Sequence, residues 1–262
     1  MLRKSFPYRF LAARLTRLPL VGRLMEMALF KGDNLVVLPP RGLIEVREEV
    51  PCGEGRIPVP QAVVEHFIEK GFIWIMDRCI CREATGCSNY PVDLGCIFMG
   101  EAARGINPGL GRPASREEAL SHLAECRKAG LFQIVGRNKL DTVWLGVGPG
   151  NRLLTVCNCC TCCCLGRILP GVSGSIGEKI TRMPGLRLEV GDECQGCGAC
   201  LEVPCLTGAL RLVGGRVEAG EECRGCGRCA EACPRKAIKL VVEDSDFVRR
   251  AIERIAPLVD VS

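Results

Sequence analysis

The chemistry of this chain must rest on cysteine: the 262 residues include 20 Cys and only 2 His. Eight of the cysteines form two near-copies of one spacing, Cys194-x2-Cys197-x2-Cys200-x4-Cys205 and Cys223-x2-Cys226-x2-Cys229-x3-Cys233, the second followed by Pro234. Three thiolates two residues apart wrap a tight turn that encloses three corners of an iron–sulfur cubane, and a fourth cysteine reaches in from further along the chain. The spacing predicts two [4Fe–4S] clusters and one-electron chemistry. Zinc sites favour paired CxxC knuckles over CxxCxxC triplets, so two zinc ions are the poorer reading.

Ten more cysteines fall in the first two-thirds of the chain: Cys79, Cys81, Cys87 and Cys96, then Cys157, Cys159, Cys160, Cys162, Cys163 and Cys164. In an extended segment Cys79 and Cys81 share a face and can reach one site. Six thiols in the eight residues from 157 to 164 would be an oxidation hazard if left free, so some must be ligands. We expect a further iron–sulfur cluster here. Zinc, or a thiol–disulfide or sulfur-carrying site, are the alternatives. Arg82, beside Cys81, either donates to cluster sulfides or an anion, or is an ordinary surface arginine. His66 lies on a polar helix position. His122 and Cys126, four apart on one helix, could share a metal, but an exposed His and a buried Cys are the plainer reading. Cys52 reads as a lone core thiol. Gly146-x-Gly148-Pro149-Gly150 lacks dinucleotide-binding spacing, and no P-loop or carboxylate pair points to phosphoryl or hydrolytic chemistry.

Composition narrows the setting. Aromatic residues are 5% of the chain, so metal–thiolate bonds are expected to supply part of the stability. A disulfide scaffold is disfavoured by the length of the chain and by its CxxCxxC and Cys-Cys runs. The first 31 residues carry no recognisable signal peptide, because Arg14, Arg17, Arg23 and Glu26 interrupt the apolar stretches. A reducing cytoplasm is therefore expected. The formal charge is +5, and two clusters of about −2 each would bring the loaded chain near neutrality. Residues 1–31 hold seven Lys or Arg against Glu26 alone.

These residues need a scaffold. Residues 1–31 read as a basic amphipathic helix broken by Pro19 and Gly22, able to pack on its own domain, dock a partner or touch a membrane surface. Residues 32–169 read as a largely helical Cys-rich metal-binding domain. It begins with strand and loop, including an apolar run at Leu35–Leu38. Pro60 opens a helix whose face is Val63, Val64, Phe67 and Ile68, and a β-like run follows at Phe72–Met76. Ser115-x-x-Glu118 is a capping box for a helix closed by Gly130. A strand is expected at Leu131–Val135 and another at Thr142–Val147. That order resembles a winged-helix unit, though Arg127 and Lys128 do not make a nucleic-acid face. Residues 170–186, rich in Gly and Ser, read as a linker. The repeated cysteine pattern defines a module at 187–242, with β runs at Ala209–Val213 and Ala237–Val241, and 243–262 read as a terminal helix. The fold class is α+β.

Over about 55 residues the C-terminal module resembles bacterial two-cluster ferredoxins. The resemblance implies a pseudo-symmetric fold in which Cys194, Cys197, Cys200 and Cys233 hold one cluster and Cys223, Cys226, Cys229 and Cys205 the other. The chain departs from that pattern at Cys205, which four residues rather than three separate from its triplet. Pro204 precedes it, and Leu206 takes the place usual for proline. The insertion is expected to alter the loop around the Cys223 cluster. Residues 75–242 also resemble a set of uncharacterised microbial iron–sulfur-binding proteins, through Cys79-x-Cys81-Arg82, Ala129-Gly130-Leu131, the run Cys157–Cys164 and the ferredoxin module. The expected function is electron transfer, as a carrier or a subunit beside a redox partner or enzyme. An enzymatic or sulfur-handling site in the N-terminal half, or a redox or metal sensor, are the alternatives.

Overall fold

The computed structural model describes residues 6–40, 44–46, 60–242 and 246–262. Cys52 lies outside the described residues. The chain opens with two short helices, α1 (Arg9–Leu15) and α2 (Pro19–Met25), and a π-helical turn at Glu26–Phe30. Pro19 occupies the first turn of α2, where its missing N–H is not needed, so the expected single helix breaks there. Strands β1 (Asn34–Leu38) and β2 (Ile44–Val46) follow, then α3 (Gln61–Ile68), β3 (Ile73–Met76), α4 (Ile80–Thr85), β4 (Ile97–Met99) and β5 (Gly111–Ala114). The capping box forms as read: Ser115 accepts from the Glu118 N–H and Glu118 from the Ser115 N–H, opening α5 (Arg116–Lys128). Then come β6 (Phe132–Arg137), α6 (Lys139–Leu145) and β7 (Leu154–Cys159).

The N-terminal half is not largely helical. Its centre is a seven-stranded sheet, ordered β5-β3-β4-β7-β6-β1 and closed by β8 (Ile180–Arg182), which pairs parallel to β1. The winged-helix order also fails. The stretch Thr142–Val147 was expected as a strand, but most of it lies in α6, where Asp141 ties Asn138, Trp144 and Thr155 together and rewards a helical turn. Nor is 170–186 a free linker. Arg17 donates to the Pro170 and Val172 carbonyls, the Ser173 N–H donates to Thr16 Oγ1, and β8 joins the sheet. Its Gly and Ser residues make tight docked turns, including a four-residue helix α7 (Gly174–Gly177), instead of a coil.

The C-terminal module comprises β9 (Leu186–Val190), α8 (Ala199–Glu202), β10 (Leu210–Val213), β11 (Arg216–Ala219), α9 (Arg228–Ala232) and β12 (Ile238–Val242), followed by α10 (Phe247–Ile255). β12 lies between β9 and β2, while β10 and β11 form a hairpin. One face of the large sheet buries Val36, Leu38, Ile97, Met99, Val135, Leu154 and Val156 under α3, α5 and α10. Because strand side chains alternate, the other face is set by the intervening residues, and those include cysteines.

Candidate metal centres

In β7, Leu154 and Val156 belong to the apolar core beneath the helices, which puts Thr155, Cys157 and Cys159 on the opposite face. Antiparallel pairing sets Ile97 against Val156, so Cys96, one step before β4, stands beside Cys157 on that same face. Sheet register thus places three thiols that sequence spacing alone could not relate. Cys79 and Cys81 join them differently from expectation. They are not in an extended segment: Cys79 is the N-cap of α4 and Cys81 lies in its first turn. A first turn is tight enough for the two thiols still to meet in a hydrogen bond. Cys164 completes the set, 3.1 Å from Cys159, its sulfur accepting from the Gly166 N–H at 3.2 Å.

Cys160 adds a seventh thiol, and together these residues line an apolar chamber of about 370 Å³. Phe6, Arg9 and Phe30 from the N-terminal segment contribute to its wall, as do Asp141 and Trp144. Hydrogen bonding with Cys81 outweighs burial and brings the Cys79 thiol down to about 6, whereas the same pairing and burial together push Cys81 up. Burial raises the Asp141 carboxyl, and it raises Asp33, at the chamber edge, to about 6.

Arg82 is not a surface residue. It is fully buried, 0% exposed, and donates to the Asn158 carbonyl at 2.9 Å and to the Leu94 carbonyl. Burial opposes its charge, but the thiols of Cys79, Cys160 and Cys96 outweigh that and raise its pKa. Its buried Nε has no hydrogen-bond partner, which fits a donor kept for a sulfide or thiolate in the chamber. Asn158, 1% exposed, went unnoticed in the sequence; its amide donates to Gly95 O at 2.8 Å and fixes the strand between Cys157 and Cys159. A buried amide inside a cysteine run was the available signal.

Cys160 also belongs to a second group, with three thiols that do not line the chamber. Cys87, after the left-handed Gly86, meets Cys160, Cys162 and Cys163 in the turn beyond β7, and all four Sγ lie within 4.8 Å of one another. Among the described residues His122 joins no group of three or more potential ligands, and its Nε2 is 2.9 Å from the Gly95 carbonyl. Cys126 is a buried thiol pushed up to about 12 by desolvation.

The C-terminal module repeats one local geometry twice. Gly196 and Gly225 both have φ +64°, and Gly198 and Gly227 have +80° and +84°, so each triplet loop turns through two left-handed residues before its helix begins. The Cys194 and Cys223 N–H groups donate to Gly191 and Gly220 in turn. The halves are then docked crosswise: Gly191 N–H donates to Ala237, just after Cys233, and Gly220 N–H donates to Ala209, just after Cys205, both at 2.8 Å. One pocket is lined by Cys194, Cys197, Cys200 and Cys233. A second is lined by Cys205, Cys223, Cys226 and Cys229, with Cys200 at its edge. The inserted residue is absorbed where Val203 turns extended after α8. Leu206 is 1% exposed and packs in one apolar cluster with Cys226, Cys159 and Cys164.

Residues 220–239, which contain the second triplet and Cys233, match the family model for the 4Fe-4S binding domain. The chain therefore carries a domain of the kind that binds a 4Fe-4S cluster. No curated protein matches the chain, and no solved structure does.

Proposed function

We propose that this protein transfers single electrons through two [4Fe–4S] clusters, one held by Cys194, Cys197, Cys200 and Cys233, the other by Cys223, Cys226, Cys229 and Cys205. The observation that carries this is the crosswise docking of two identical triplet loops, each facing the fourth cysteine of the other half. A buried cubane supplies reversible one-electron chemistry; the protein's part is to hold its thiolates, exclude water and tune its charge. The thiol-lined chamber is proposed to hold a further iron–sulfur cluster. Among the described residues its thiols do not close to single-ion spacing, and they surround a volume rather than a point. Leu206 fills the gap between this chamber and the Cys226 loop, so electrons would pass between the two across one apolar contact.

The protein is proposed to serve a redox partner or enzyme subunit. Peripheral membrane contact is assigned to α1 and α2, where Leu11, Leu18, Leu20 and Leu24 are exposed among the exposed Arg14, Arg17 and Arg23. Among the described residues no helix is long and apolar enough to cross a membrane. A second reading, a thiol or sulfur-handling site in the chamber, is favoured by one observation: a cubane takes four thiolates and the chamber offers seven.

The test of the cluster assignment is Cys233→Ala in the full chain, read by EPR and iron content. The proposal expects loss or three-iron conversion of the cluster on the first triplet, with the second intact. A change confined to the cluster of Cys223, Cys226 and Cys229 would refute the cross-ligation.

A further inference from the structure

Cys87, Cys160, Cys162 and Cys163 have a geometry of their own, although Cys160 also lines the chamber. Cys87 and Cys162 are 3.6 Å apart, as are Cys162 and Cys163, and Cys160 closes the group. Four sulfurs bound to a single tetrahedral ion at about 2.3 Å must stand about 3.8 Å from one another. A cubane spreads its thiolates further, because each binds a different corner iron. The C-terminal module provides an internal comparison. Among the described residues, Cys87, Cys160, Cys162 and Cys163 are the one group of three or more potential ligands within 4.8 Å of each other, so neither C-terminal quartet contracts to this spacing.

We propose that Cys87, Cys160, Cys162 and Cys163 bind one zinc ion, in a closed structural site that meets the chamber at Cys160. Four thiolates leave no open position, which is the pattern of structural rather than catalytic zinc. Thiolate ligands hold Zn²⁺ more tightly than Fe²⁺ when both compete as single ions. The surroundings suit an anionic centre: the positive charge of the buried Arg82 stands close enough to Cys160 to favour a thiolate there. The ion would pin the segment after α4 to the turn after β7. That turn begins beside Cys159 and ends at Cys164, so the zinc would fix one wall of the chamber. This site does not depend on the electron-transfer reading and stands or falls separately.

The test is X-ray absorption at the zinc edge on anaerobically purified, iron-loaded full-length protein, with metal analysis of Cys87→Ser/Cys162→Ser. The expected result is one zinc per chain in a sulfur-only shell, falling at least tenfold in the double variant while iron is unchanged. Absence of zinc, a shell containing nitrogen or oxygen, or zinc retained by the variant would overturn the proposal. Should the variant fail to fold, the wild-type shell decides alone.

Discussion

Replacing Arg82 by Gln tests whether the N-terminal cysteines act as thiolates around a buried cation. Arg82 is wholly enclosed and holds two carbonyls, those of Asn158 and Leu94. Gln is shorter and can satisfy at most one of them; a buried carbonyl left without a donor costs about 1–3 kcal/mol. The substitution also strips the positive charge from beside Cys79, Cys96 and Cys160. Removing one partner of a buried ionic arrangement costs about 3–5 kcal/mol. We expect a total of about 4–8 kcal/mol, which for a chain of this size lowers the melting temperature by about 10 °C or more. Metal content should fall too, because anionic metal–thiolate centres lose their counter-charge. Arg82→Lys, which keeps the charge but not the two-armed geometry, should fall between. The assay is anaerobic thermal unfolding followed by circular dichroism, with iron and zinc measured on the same samples. If Arg82→Gln melts within about 2 °C of wild type and keeps its metals, the buried-cation reasoning is wrong.

Other outcomes follow from the same geometry. Gly196→Ala should damage the first triplet loop more than Gly198→Ala. Both glycines are left-handed, but only at Gly196 would a Cβ strike a backbone atom, Gly215 O at 2.3 Å; cluster retention after purification checks the order. Leu206→Ala should cost about 2–5 kcal/mol by opening a cavity between the chamber and the Cys226 loop, seen as a lower unfolding midpoint in denaturant. Asp33, raised from 3.8 to about 6, stays protonated in the folded chain at pH values where the unfolded chain has ionised. Its contribution is therefore full below about pH 4 and is lost as pH rises through about 6, by at most about 3 kcal/mol, and Asp33→Asn should flatten the stability profile in that window. Leu20→Glu with Leu24→Glu should abolish sedimentation with anionic vesicles and leave binding unchanged if the N-terminal face contacts protein instead.

The C-terminal module was legible because its chemistry is local. Cys-x-Gly-Cys-Gly-x-Cys states both the candidate ligands and the left-handed residues that turn the loop, and it does so twice. The capping box and the runs at Leu35–Leu38 and Phe72–Met76 were legible for the same reason. The N-terminal centres were not. Cys96 meets Cys157 only through strand register, and Cys87 meets Cys162 only because a turn after β7 folds back over α4. Spacing cannot show which of ten thiols share a site when the sharing is set by a sheet. The Thr142–Val147 stretch misled through its β-branched and aromatic residues, whose strand preference is weaker than the pull of the buried Asp141 network. The 170–186 stretch misled because Gly and Ser serve docked turns as readily as linkers.

The most direct measurement of the central claim is the iron and acid-labile sulfide content of the full-length protein purified without oxygen. Two ferredoxin-type clusters and one in the chamber predict about twelve iron and about twelve sulfide per chain. About eight of each would remove the chamber cluster and leave the electron-transfer module, whereas four or fewer, with no sulfide matching the iron, would contradict the account.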